Sequence, residues 1–207
     1  MKVLVVGAAG RTGRPTVARA VEDGHEVTAF VHHRPDNGLP GVRLVVGDVL
    51  DADAVDAAID GQDAVIDTVG AAVPWRRTTL ETDAVGVVIA AMDRHGVRRL
   101  IVTSSVGVGE SIASVAPVLR VFLPTFLRGA MRDKDTMEAA VRASALDWVI
   151  TRPALLKNGT ATGRLRAIPA GSSARAGSIT RNDLADFLVT QLTQDDHLRT
   201  EVTVANG

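Results

Sequence analysis

Apolar and polar positions fall into blocks along the chain. Lys2 leads into Val3-Leu4-Val5-Val6, a continuous apolar run that predicts a strand buried on both faces, as in a parallel sheet. Gly7, Gly10 and Gly13 follow, and from Thr16 to Val21 an amphipathic helical pattern begins, with Pro15 in the first turn, where no N–H donor is needed. Asp23-Gly24 closes that helix and Glu26–Val31 reads as the second strand. Val42–Val46 is the third strand. Asp51–Ile59 is a short helix, with Asp51 or Asp53 placed to cap it. Gly61-Gln62-Asp63 turns into the fourth strand, Ala64–Thr68. Thr79–His95 is a long helix stopped by Gly96, and Arg99–Thr103 is the fifth strand. Arg132–Ser144 reads as a helix and Asp147–Thr151 as a sixth strand that Arg152-Pro153 breaks. Asn158–Gly177 reads as irregular, Asn182–Thr193 as a helix capped by Asn182, and Glu201–Val204 as a last short strand.

Strands that alternate with helices predict an α/β fold: a doubly wound parallel sheet with helices on both faces. The chain, 1–207, then forms a single domain, with a small substrate or lid region at about 106–131 and 154–180. The first strand lies in the middle and a ligand lies over the carboxyl ends of the strands. Every glycine-rich or polar motif falls at such an end, so all should gather on one rim. The most apolar stretch, Val115–Met131, is too short for a membrane span and carries Pro117, Pro124, Arg120 and Arg128. It reads as a lid, a subunit contact or a core-packing hairpin.

Composition narrows the partners. The 207 residues carry a net charge of −1, with 46% hydrophobic residues, no Cys and no Tyr. Without a basic excess, neither nucleic acid nor a membrane surface is expected as a partner. Without Cys there is no disulfide or thiolate metal site, and no His/Asp/Glu cluster has metal-ligand spacing. A strand that starts at residue 2 leaves no room for a signal peptide, which favours the cytoplasm. The sequence is compatible with a monomer or a homodimer.

The opening turn, Gly7, Ala9, Gly10, Arg11, Thr12 and Gly13, carries the chemistry. A strand, a glycine turn and a helix N-terminus aim free N–H groups and the helix dipole at one spot, and missing Cβ atoms let a pyrophosphate approach. At the end of the second strand a carboxylate would accept a ribose 2′-OH, but none occurs before Asp36. His32, Arg34 and Arg11 are basic instead and favour the 2′-phosphate of NADP (NADPH) over NAD. His33 is expected to point away from His32, into solvent. Asp48 either accepts the adenine amino group or leads the next helix, and Val49 can pack on the ring. Gly70 permits close approach of backbone to the cofactor. Ser105 can hydrogen-bond the nicotinamide amide or a substrate oxygen, whereas Ser104 suits a cap on backbone. Trp75-Arg76-Arg77 offers an aromatic plane and two cations to a flat, anionic acceptor. Asn182 and Asp183 read as helix-start residues rather than catalysts.

The stretches G-A-A-G-R-T-G, V-V-G-D-V-L-D-A-D-A-V, G-Q-D-A-V-I, A-A-M-D-R-H-G-V, T-S-S and S-A-L-D-W-V-I-T-R-P together resemble the atypical short-chain dehydrogenase/reductase family, and within it the NAD(P)H-binding NmrA-like and flavin reductase (biliverdin-IXβ reductase)-like proteins. The resemblance runs from Lys2 to about Leu192 and implies a Rossmann fold, with cofactor contacts at Gly7, Gly10, Arg11, Thr12, Gly13, His32, Asp48, Val49, Gly70 and Pro153. This chain departs from the family in carrying His32 where Arg is common. The superfamily's Tyr-x-x-x-Lys pair falls on Ala130-Met131-Arg132-Asp133-Lys134: the Lys position is filled by Lys134 and the Tyr position by Ala130. Ser105 and Lys134 are thus the catalytic candidates. Losing the Tyr removes the usual alcohol/ketone proton relay. Reduction of a flavin, quinone or similar flat acceptor by direct hydride transfer needs little beyond positioning and tolerates that loss. The alternative is a non-catalytic NADP(H)-binding redox sensor or partner-binding protein.

Overall fold

The computed structural model describes residues 1–36, 38–70, 78–114, 128–169, 172 and 174–207. The strands are β1 (Lys2–Val6), β2 (Glu26–Val31), β3 (Arg43–Val46), β4 (Ala64–Asp67), β5 (Arg99–Thr103), β6 (Asp147–Pro153), β7 (Leu155–Lys157), β8 (Leu165–Ile168), β9 (Ser178–Thr180) and β10 (Thr200–Asn206). The helices are α1 (Gly13–Glu22), α2 (Ala52–Ile59), α3 (Leu80–His95), α4 (Arg128–Ala143) and α5 (Arg181–Thr190), with a 3₁₀ turn at Gly109–Ser114.

Eight strands form one sheet in the order β3-β2-β1-β4-β5-β6-β10-β8. All neighbours run parallel except β10 and β8. A separate parallel pair joins β7 and β9. The chain leaves β1 toward β2 and β3, then returns to lay β4 on the other side of β1. That reversal opens a crevice over the carboxyl ends of β1 and β4. Alternation along the strands supplies two cores. Val3 and Val5 pack in one cluster with Val17 and Ala20 of α1 and Leu184 and Leu188 of α5. Leu4 and Val6 pack in the other with Val55 of α2, Val85 and Met92 of α3, and Met137 of α4. Both faces of β1 are therefore covered, which is why its sequence reads as a run rather than an alternation.

Asp51 caps α2, accepting from the N–H groups of Asp53 and Ala54. Gly96 ends α3 in the left-handed conformation, at φ 67°. Four expectations need correcting. Arg152-Pro153 does not break β6: Pro153 is the last residue of the strand, pairing with Val204 of β10, and its carbonyl accepts from Val106 N at 3.0 Å. Helix α4 begins at Arg128, one turn before Arg132. The 158–177 stretch is not wholly irregular, because β8 lies within it. Helix α5 is capped by Thr180, whose hydroxyl accepts from Asp183 N, and not by Asn182. Trp75-Arg76-Arg77 and residues 115–127 of the apolar stretch lie outside the described residues. Among the described residues no helix is long and apolar enough to cross a membrane.

Candidate functional site

The crevice begins with the turn from β1 to α1. Gly7 sits at φ 75°, and a Cβ on it would meet the Thr68 backbone at 3.1 Å. At Gly13 a Cβ would stand 2.2 Å from Gly7 O and 2.8 Å from Ala8 Cα, so α1 rests directly on the turn and only glycine fits. Gly10 N donates to Gly7 O at 2.8 Å and Arg14 N to Gly10 O at 3.0 Å. Thr12, at the N-cap of α1, makes no side-chain cap, and the first turn carries no acidic residue. The N–H groups of Arg11, Thr12 and Gly13 find no acceptor among the described residues. Free donors at a helix N-terminus beside backbone stripped of Cβ atoms make a cradle for an anion, and the residues present fit a diphosphate. Ala9 holds the turn from outside: its carbonyl accepts from Arg14 Nε at 3.2 Å, while Arg14 Nη1 reaches Gly38 O at 3.3 Å. Arg14, unnoticed in the sequence, thus ties the turn to the loop after β2.

His32 and Arg34 are exposed just past β2, and Arg11 is exposed in the turn. His33 does not point away from His32: their ring centroids are 4.1 Å apart. The strand ends at Val31, so its side-chain alternation does not extend to either histidine. Asp48 is exposed and its Oδ1 accepts from Leu50 N at 2.9 Å, while Val49 is half-buried against the core. At the end of β4, Thr68 Oγ1 donates to Val6 O at 2.8 Å, and Val69 N donates to Asp67 at 2.8 Å. Gly70 is exposed, and among the described residues nothing lies within 4 Å of the place its Cβ would take.

Beneath this rim two ionic clusters join the sheet to α3 and α4. Lys134 Nζ pairs with Glu81 at 2.5 Å, the glutamate being buried. Asp133 accepts from the N–H groups of Glu81 and Thr82, both at 3.1 Å, and so caps α3 from a neighbouring helix. Asp67 is buried close by. Burial, reinforced by the charge of Glu81, pushes its carboxyl up to about 7 against the opposing pull of Val69 N–H and Lys134. In the second cluster Glu138 is fully buried between Arg152 and Ser104, whose Oγ donates to Glu138 Oε1 at 2.6 Å. Ser104 therefore binds a carboxylate, not the backbone cap expected of it. Ser105 is half-buried with its Oγ 3.2 Å from Val106 O. Ala130 is 6% exposed on α4, one turn before Lys134. The ionic roles of Asp67, Glu81, Glu138 and Arg152 went unread in the sequence, where Arg152 figured only as part of a strand breaker, because their partners lie on other elements.

The start of α5 holds a third group. Asp183 accepts from Thr162 N, Gly163 N, Thr180 Oγ1 and Asn206 Nδ2. Burial pushes its carboxyl up, but these donors overcome that and bring it to about 2. It is the fastener of the loop before β8, in keeping with a helix-start role.

The NAD(P)H-binding family model matches residues 7–195. A 2-alkyl-3-oxoalkanoate reductase from Stenotrophomonas maltophilia is 37% identical over 110 residues, covering 51% of this chain and 33% of the reductase. The chain spans 12% to 33% of the length of the curated relatives it matches first. Among solved structures, ChuY, an anaerobilin reductase from Escherichia coli O157:H7, superposes with a TM-score of 0.82 at 24% identity, over 100% of this chain and 97% of its own. A short-chain dehydrogenase/reductase from Veillonella parvula in complex with NADP gives 0.82 at 17% identity, over 99% and 94%. These two likenesses concern the fold.

Proposed function

The chain belongs to the NAD(P)H-binding family of atypical short-chain dehydrogenase/reductases, and from that premise we propose that it is an NADPH-dependent reductase of a flavin, quinone or similar flat acceptor, working without a tyrosine acid/base. The single observation that carries the reading is Ala130. It is buried on α4, one turn before Lys134, at the position to which the resemblance assigns the superfamily's Tyr. When bound, the reduced nicotinamide supplies a hydride from its C4.

The chain's own residues do the positioning. Arg11, Thr12 and Gly13 offer N–H donors to the diphosphate, and Gly7 and Gly13 keep the approach clear. Arg11, His32 and Arg34 take the 2′-phosphate. Asp48 and Val49 receive the adenine, its carboxylate accepting the amino group beside the Leu50 N–H it already holds. Gly70 and Pro153 border the cofactor, and Ser105 orients the nicotinamide amide or the acceptor. Lys134 contributes its charge from within the Glu81 pair. The name borne by the Stenotrophomonas maltophilia relative, a reductase, supports this class of chemistry.

A second reading, a non-catalytic NADP(H) sensor, is favoured by the same Ala130 and by the engagement of Lys134 with buried Glu81. One sample separates the two. Fluorescence titration with NADPH and NADH comes first, then NADPH oxidation with FMN, riboflavin, quinones and biliverdin in turn. The reductase reading expects turnover with at least one acceptor. Tight binding without turnover on any of them leaves the sensor.

A further inference from the structure

Helices α1 and α5 pack side by side on one face of the sheet, and both begin at its carboxyl rim. Arg19 of α1 pairs with Asp186 of α5 at 2.9 Å, and Pro15 and Asn182 line one groove between the two helices. The start of α5 is fixed to the end of β10, where Thr180 N donates to Asn206 Oδ1 at 2.9 Å. Counted back from the Arg19–Asp186 pair, Gly13 lies six residues away and Arg181 five. At about 1.5 Å per residue the two helix starts are nearly level. Arg181 therefore stands beside the glycine turn.

The surroundings of Arg181 disfavour a lone cation. It is half-buried at the first position of α5, the positive end of the helix dipole. Its Nη1 donates to Asn158 Oδ1 at 2.7 Å, which orients the guanidinium. On the other edge of the fork, Nε is buried and finds no acceptor among the described residues. Neither Arg181 nor Arg11 forms an ion pair among the described residues. Burial pushes the guanidinium down from its ordinary value, and the like charge of Arg11 pushes it further. One anion lying between Arg181 and the turn reverses each of these conditions: it accepts from the idle edge, neutralises the two like charges and suits the dipole.

We propose that Arg181 is a further cofactor-binding residue, whose Nε–Nη2 edge takes oxygens of the dinucleotide diphosphate from the α5 side of the turn. The inference rests on the reading of that turn as a nucleotide cradle. The N–H groups of Arg11, Thr12 and Gly13 meet the diphosphate from α1, and Arg181 meets it from α5. A planar guanidinium edge matches a pair of phosphate oxygens. Asn158 already orients that edge, so little side-chain freedom is left to lose on binding. NADH and NADPH both carry a diphosphate, so Arg181 raises the affinity for each without choosing between them. The choice stays with the basic groups past β2.

Fluorescence titration of the whole chain with NADH and with NADPH, at low and at high ionic strength, tests the assignment. Arg181→Gln removes the charge. It is expected to weaken both dinucleotides by the same factor, about tenfold at low salt, with the gap closing as salt rises. Arg181→Lys keeps the charge without the planar edge and is expected to lose about threefold. Wild-type affinity in Arg181→Gln overturns the inference. So does a loss confined to NADPH, which belongs to the 2′-phosphate. A loss equal in the two variants and indifferent to salt also overturns it, because it marks Arg181 as a strut for the 158–159 loop alone. Should Arg181→Gln fail to fold, Arg181→Lys decides: an equal loss for both dinucleotides that shrinks with salt sustains the inference, and no loss, or a loss of NADPH alone, overturns it. Wild type that binds neither dinucleotide defeats the nucleotide-cradle reading instead, so the two failures are distinguishable.

Discussion

Glu138 and Arg152 form a doubly hydrogen-bonded ion pair in the floor of the site, Nε to Oε1 at 3.0 Å and Nη2 to Oε2 at 2.5 Å. Both are buried, the glutamate completely. Burial alone would lower the arginine, but the Glu138 carboxylate keeps it above its ordinary value. Ser104 adds a third bond to the same carboxylate, and the pair locks the end of β6 to α4.

Breaking that pair from one side strands a buried charge. Arg152→Met and Glu138→Gln are each expected to cost about 3 to 5 kcal/mol, read as a lower urea midpoint. The double variant Arg152→Met/Glu138→Leu should recover much of the loss, since an apolar pair of similar volume leaves no charge behind. A double variant as unstable as either single one would show that packing, not charge, dominates.

The buried Asp67 carboxyl makes stability depend on pH in a defined direction. Its folded value, about 7, lies above the ordinary 3.8. Its ionised form is therefore disfavoured in the fold: stability is undiminished below about pH 4 and is lost as pH rises through about 7. The upper bound is about 4 kcal/mol. Denaturant midpoints of Asp67→Asn against wild type should diverge across that window in favour of the variant and coincide at its acid end.

Asp183 acts in the opposite sense. Its folded value of about 2 lies below the ordinary one, so its contribution is present above about pH 4 and is lost as pH falls through about 2. Asp183→Ala is expected to cost about 2 to 4 kcal/mol at neutral pH, because the N–H groups of Thr162 and Gly163 lose their acceptor. Amide exchange should rise in the 159–164 loop before it rises in α1. Unchanged exchange there would remove the fastening role.

What the sequence made legible follows from what its patterns encode. Runs such as Val3–Val6 and Leu100–Val102 are apolar because they are buried on both faces, and they marked their strands. Strand β8 escaped because Arg166 and Ala167 are exposed and its single partner is β10. Pro153 read as a breaker, yet a residue at the last position of a strand does not need the N–H it lacks. The glycine cradle was legible because Gly7 and Gly13 answer to a local steric demand. The ionic floor was not: Glu81 meets Lys134, and Ser104 meets Glu138, only after α3 and α4 pack together on the sheet.

The basic groups at the nucleotide end bear on cofactor choice. Arg34→Gln and Arg11→Gln should weaken NADPH binding about tenfold or more while leaving NADH nearly unchanged, as expected for a charge-assisted contact to a 2′-phosphate. Both residues are exposed, so the melting temperature should hardly move. Equal losses for the two dinucleotides in paired fluorescence titrations would reassign these arginines to the diphosphate.

Gly13 and Gly70 separate folding from binding within one rim. A Cβ at Gly13 would stand 2.2 Å from Gly7 O and 2.8 Å from Ala8 Cα, both backbone atoms that cannot swing aside. Gly13→Ala must therefore push α1 off the turn, at about 3 kcal/mol or more, and the displaced N–H donors should no longer hold a dinucleotide. At Gly70 the φ is unexceptional and no atom of the described residues lies within 4 Å of the added methyl. Gly70→Ala is thus expected to leave the melting temperature within a degree or so, since an exposed alanine in open space disturbs nothing. If the cofactor runs past this backbone, the same methyl meets it, and NADPH and NADH affinity fall together. Full affinity in Gly70→Ala would move the bound cofactor away from the end of β4.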